Sequence, residues 1–161
     1  MTYKERVKEA IDAIDETQVA RVVSLLRAAT VVYVLGNGGS QANAAHLVLH
    51  LRDRGVAAFD MLGDNAWLTA QANDYGYDSA ASNFLRVPLD GVLVVLSGSG
   101  RSANVLSALA TFRGPKVGIL GSGGGKAIKF CDVAIVLPQT EYGPVEDAHS
   151  VILHMIHEAL K

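Results

Sequence analysis

Five short apolar runs recur along the 161-residue chain: VVYVL (31–35), VAAFD (56–60), VLVVLS (92–97), KVGIL (116–120) and VAIVL (133–137). Most are rich in valine and isoleucine and apolar at successive positions. Strands of that kind need cover on both faces, as in a parallel sheet between two helical layers. Segments of helical length and period separate them, at 40–54, 65–73, 102–112 and 125–130, with a closing helix at 146–160. Two more, at about 3–13 and 18–29, precede the first run, with Asp15 or Thr17 as the cap between them and Ser102 as a candidate cap further on. The order predicts an α/β three-layer sandwich with a five-stranded, mostly parallel sheet of flavodoxin-like type. A single domain is expected over 1–161, with N-terminal helices in 1–29 and the α/β core in 30–161.

Composition bears on partners. Half the residues are hydrophobic, which suits a packed core, and the net charge of −2 leaves no basic footprint for nucleic acid. No apolar stretch reaches the roughly 18 residues that would suggest a membrane span. The charged, amphipathic start, MTYKERVKEAIDAIDE, lacks the apolar centre of a signal peptide. The single cysteine, Cys131, excludes an internal disulfide. A cytoplasmic location is the resulting expectation.

Ligands of open parallel sheets sit beyond the carboxyl ends of the strands. Three exits carry glycine-rich turns: GNGGS (36–40), SGSGRS (97–102) and GSGGGK (121–126). None is a dinucleotide fingerprint or a Walker A loop. Each is compatible with a plain strand-to-helix turn. SGSGRS goes further, because Ser97, Ser99 and Ser102 add hydroxyl donors just before a helix start, a combination suited to phosphate. Arg101 can reach a phosphate or lie on the surface.

The five histidines fall in two groups, His46 and His50, then His149, His154 and His157. Four-residue spacing places the first pair on one helix face, as a ligand pair or as two ordinary helix histidines. His149 reads as a packing residue or a partner of a ligand, and His157 as an outer-face residue. Trp67, Tyr75 and Tyr77 read as packing residues, and Asp60, Asp64 and Asp78 as caps or turn residues.

GNGGSQANAAH (36–46), AND (72–74), SGSGRSANVLSAL (97–109), GGGK (123–126) and EDAHSVILHMIHEAL (146–160) together resemble the sugar isomerase (SIS) family of phosphosugar-binding domains. Within it the chain looks most like the phosphoheptose isomerases, which convert sedoheptulose 7-phosphate to a heptose 7-phosphate. The resemblance implies a sugar phosphate held by Ser97, Ser99 and Ser102, with Asn37, Ser40 and Asp74 lining the site. It also implies zinc held at the positions of His46, His50, Glu146 and His154, with acid–base chemistry from the second and fourth of these. The family has Glu where this chain has His50, and Gln where it has Glu146. Three imidazoles and a carboxylate remain a sound zinc set. The family's candidate base is lost, however, so Glu146, His50 and His154 are the residues left for proton transfer. Gly143 stands where the family often has an Asp, and Glu141 and Asp147 are the candidates to replace it. The family forms symmetric tetramers, so a homo-oligomer is expected, tetramer or dimer. Two alternatives follow from the exchanged residues: a non-catalytic protein that binds a phosphosugar or a protein partner, or an isomerase of another sugar phosphate.

Overall fold

The computed structural model of the chain describes residues 1–86 and 90–161. Its five strands are β1 (Val32–Leu35), β2 (Ala58–Asp60), β3 (Val92–Ser97), β4 (Lys116–Leu120) and β5 (Val133–Val136). They form one sheet in the order β2-β1-β3-β4-β5. Every pairing is parallel. The helices are α1 (Tyr3–Asp12), α2 (Glu16–Ala28), α3 (Gly39–Asp53), α4 (Asn65–Tyr75), α5 (Tyr77–Phe84), α6 (Ala103–Thr111) and α7 (Tyr142–Ala159). Short 3-10 turns occupy Ser122–Gly124 and Ala127–Phe130.

The doubly apolar strands do what their composition requires. Val32, Val34, Val92, Val94 and Leu96 face a core shared with α2, α3 and α7. The alternate residues Tyr33, Leu35, Leu93 and Val95 face a second core with α5 and α6. Among the described residues, no helix is long and apolar enough to cross a membrane. Cys131 packs beside β4, and burial pushes its thiol up to about 11, away from reactivity.

Two helices depart from the sequence expectation. α5 is absent from it, because its buried face uses small residues, Ala80 and Ala81, that leave little periodic signal. α7 begins at Tyr142, four residues early, and takes Gly143 and Pro144 into its first turn. A proline there loses no helical bond, since first-turn N–H groups have no intrahelical acceptor. α1 is tied to this turn. Tyr3 Oη donates to Asp147 Oδ2 at 2.8 Å, and Arg6 pairs with Glu141 at 3.0 Å. A Cβ on Gly143 would lie 2.9 Å from the Tyr3 hydroxyl, so Tyr3 fills the space a side chain would need. Glu141 and Asp147 are therefore engaged with α1 rather than standing in for a residue at 143.

His149 on α7 is fully buried. Burial pushes its pKa down to about 4, although the Leu120 carbonyl favours the charged ring. Neither nitrogen reaches hydrogen-bonding geometry. Below the unfolded histidine pKa of about 6.5, the unfolded chain takes up a proton that the folded ring refuses. Stability is therefore full above that pH and falls as pH drops from about 6.5 to 4, by up to about 3 kcal/mol for this group. Urea unfolding of His149→Leu at pH 7 and pH 4.5 should show a smaller acid loss than the parent; an equal loss would place the effect elsewhere.

Candidate active site and histidine cluster

The chain runs from β1 outward to β2, then returns to place β3 on the other side of β1. Strand order reverses there, which opens a crevice at the carboxyl ends of the two central strands. A cleft of about 270 Å³ lies in it. One wall is Asn37 to Ser40, after β1. Another is Leu96 to Ser99 with Ser102, at the end of β3 and just beyond it. Tyr142 and Glu146 of α7 complete it. Asn37, Ser40, Ser97, Ser99 and Ser102 are thus brought together as the sequence implies. Asp74 is not among them; it is exposed on α4, where its Oδ1 accepts from Asn73 Nδ2 at 2.8 Å.

The cleft is built for an anion. The Ser97 hydroxyl oxygen accepts from Gly100 N–H at 3.0 Å, and that of Ser99 from Arg101 N–H at 3.2 Å. Each serine oxygen being engaged as acceptor, its own proton is free for a ligand oxygen. α3, α6 and α7 start around the cleft, and none has a side-chain cap bond, although Ser102 occupies the cap position of α6. By contrast α1, α2 and α4 are capped by Thr2, Asp15 and Asp64. Uncapped starts leave N–H groups and the positive helix end turned toward a ligand. Arg101 is exposed and lies outside the cleft lining.

The third glycine turn buttresses the second. Lys126 and Ala127 N–H donate to the Gly100 carbonyl at 2.8 and 2.9 Å. Gly100 has φ of +60°, and a Cβ there would lie 2.1 Å from the Gly124 carbonyl oxygen, so only glycine fits.

Glu146 belongs to the cleft. Its carboxylate lies over the start of α3, where a Cβ on Gly39 would come within 2.1 Å of Oε2. The glycine makes the room, and the positive end of α3 suits the charge. Among the described residues this carboxylate has no hydrogen-bond or ion-pair partner, so it is available to a ligand.

The histidines form a separate group about two turns further along the same helices. Ligand atoms of His46, His50 and His154 lie within 4.8 Å of one another. Their rings are 4.2 Å (46–50), 5.1 Å (46–154) and 4.9 Å (50–154) apart. Glu146 is outside this close set, eight residues or about 12 Å of helix rise before His154. Neither His50 nor His154 lines the cleft of its own chain. The outer-face expectation for His157 is corrected too. Its ring stacks on His50 at 4.4 Å, and its Nε2 is 2.8 Å from Asp53 Oδ2. Burial, then the neighbouring imidazoles, push His50 down to about 4 and His46 below its ordinary value. His50 Nε2 is buried without a partner. Neutral imidazoles with an unpaired nitrogen are what a soft-to-borderline cation requires.

Two hydrogen-bond partners of Asn37, both outside the cleft lining, escape a sequence reading. Tyr77, at 44% exposure, is not a packing residue; its hydroxyl donates to Asn37 Oδ1 at 2.6 Å. Asn104, 2% exposed on α6, exchanges two amide hydrogen bonds with Asn37, both 2.8 Å. Neither has a local signal, since both bonds cross between distant segments.

A parallel α/β sheet with a serine-lined anion cleft at its switch point defines a phosphosugar-binding class of domain. The SIS domain family model matches residues 2–121, and the chain belongs to that family. Phosphoheptose isomerase from Rhodospirillum rubrum is 37% identical over 84% of this chain and 78% of its own length. That from Geotalea daltonii is 35% identical over 98% and 90%. Among solved structures, a phosphoheptose isomerase from Neisseria gonorrhoeae superposes with a TM-score of 0.86 at 26% identity, covering 97% of this chain and 92% of that one. One from Francisella tularensis shares the fold at 0.88, with 22% identity and coverage of 98% and 93%. With these relatives the chain is an isomerase.

The anion reading is tested by binding. Ser97→Ala combined with Ser102→Ala should weaken binding of a phosphate monoester about tenfold or more in calorimetry, at roughly 1 kcal/mol for each lost hydrogen bond. Unchanged affinity would move the phosphate elsewhere.

Proposed function

We propose that the chain interconverts sedoheptulose 7-phosphate and a heptose 7-phosphate by aldose–ketose isomerisation. The observation that carries this reading is an unpaired carboxylate, Glu146, in the same cleft as the phosphate-type serines. The names of the similar proteins supply the sugar.

In this reading Ser97, Ser99 and Ser102, with the start of α6, hold the phosphate and fix the sugar's register. Glu146 takes the proton from the carbon beside the carbonyl and returns it to the neighbouring carbon. The electron pair of the broken C–H bond becomes the enediol double bond and the carbonyl π pair moves onto its oxygen. The proton of the adjacent hydroxyl then passes to that oxygen, and return of the Glu146 proton to the former carbonyl carbon leaves the carbonyl on its neighbour. Asn37, Ser40 and the uncapped start of α3 surround that end of the cleft with donors. A Gln at 146 would preserve shape but take no proton. Glu146→Gln should therefore lower turnover by about 100-fold or more, within the usual range for an acid–base group, with little change in KM. Equal turnover would remove Glu146 from this role.

The donor set also fits zinc, through His46, His50 and His154, and we assign these residues to it rather than to proton transfer. Zinc bound there supplies Lewis-acid polarisation of an oxygen ligand. Glu146 faces the cleft instead of completing the set. Metal analysis of His50→Ala should show loss of most bound zinc; undiminished zinc would refute these ligands.

The chain also associates with copies of itself in this reading. The groove between α2 and α7, lined by Val19, Ala20, Val23 and Met155, offers an apolar surface for a second copy. Sedimentation giving only monomer would exclude it.

A further inference from the structure

The hydrogen bonds around Asn37 determine what it can offer a ligand. Its Oδ1 accepts twice, from Tyr77 Oη at 2.6 Å and Asn104 Nδ2 at 2.8 Å. A carbonyl oxygen has two lone pairs, so none is left. Its Nδ2 donates one proton to Asn104 Oδ1 at 2.8 Å. One N–H remains, on a side chain that lines the cleft. Asn104 is buried at 2% exposure, so the pair is fixed on its α6 side.

We infer that Tyr77 is a positioning residue that locks Asn37 as a single-proton donor to the sugar's carbonyl oxygen. The assignment rests on the isomerase reading above. Its reason is chemical. Had the amide turned its oxygen to the cleft, it would repel the charge that develops on the carbonyl oxygen as the enediolate forms. The Tyr77 hydroxyl makes that turn unfavourable, since it occupies the Oδ1 side as a donor. Asn37 lies in the same turn as Gly39, against which the Glu146 carboxylate is packed. The proposed base and the donor therefore address the same end of the ligand. Ser97 and Ser99 belong to the opposite wall, at the end of β3 and just beyond it. A donor fixed before the substrate arrives needs no reorganisation during reaction, which is the source of its value.

The test is Tyr77→Phe, which removes one oxygen from a half-exposed ring, followed with sedoheptulose 7-phosphate. The expected result is a kcat lower by about tenfold, less than the 100-fold or more for outright removal of such a donor. KM should stay within about twofold, because the phosphate contacts are intact. A kcat equal to the parent's, or a change confined to KM, overturns the assignment. Asn37→Asp is the second variant. It puts an acceptor where the free N–H stands, and should lose more turnover than Tyr77→Phe; turnover near the parent's would also overturn it. If the parent itself does not turn over this sugar phosphate, the isomerase reading fails separately. The positioning claim is then judged without substrate, from the side-chain amide resonances of Asn37 in nitrogen-15-labelled protein. They should shift, and their proton exchange should quicken, in Tyr77→Phe; unmoved resonances overturn it.

Discussion

The parallel pairing of β1 with β3, with β2 on the far side of β1, is the constraint on which the rest depends. A chain leaving β1 packs α3 against one face of the sheet, while the chain leaving β3 packs α6 against the other. The two exits therefore diverge. The gap between them is where glycine and serine backbones face each other across a cleft. α7 is packed against α3 and opens its first turn at the same edge. Three helix starts and one carboxylate converge because the strand order reverses once.

Much of this is legible in the sequence alone. The valine-rich runs could be buried only in a parallel sheet, and all five are strands of it. The spacing of SGSGRS before a helical stripe anticipated a serine-lined turn at a helix start. What escaped was of two kinds. α5 buries alanines rather than large side chains, so its period was faint. Tyr77, Asn104 and the third glycine turn act across the sheet edge, through bonds spanning 40 and 67 residues or through a backbone buttress. Pattern along a chain carries little information about such pairings. The packing of His157 is hidden for the same reason: its stacking partner, His50, is on another helix.

Glu146 and the histidines show how a small residue can redistribute chemistry. Relative to the family pattern that the motifs suggest, a carboxylate gives way to an imidazole at His50 and an amide gives way to a carboxylate at Glu146. In the structure they also part company. The carboxylate is drawn to the start of α3, where Gly39 leaves room beside a positive helix end. The imidazoles stay on a common seam of α3 and α7, where burial keeps His46 and His50 neutral. Three close imidazoles could not all carry charge without mutual repulsion. Neutral rings at His46 and His50 are also what a cation needs from them.

The missing caps around the cleft have a further meaning. A side-chain cap at a helix start contributes roughly 1 kcal/mol, and α3 forgoes it. Gly38 precedes α3 with φ of +57°, a left-handed backbone that capping residues do not adopt without strain. The polypeptide therefore cannot easily finish this helix with its own atoms. The oxygens of a bound sugar phosphate would do so, from its carbonyl end at α3 and from its phosphate at α6. Occupancy would then be a property of the secondary structure itself: two helices of this protein would be completed by a molecule the gene does not encode.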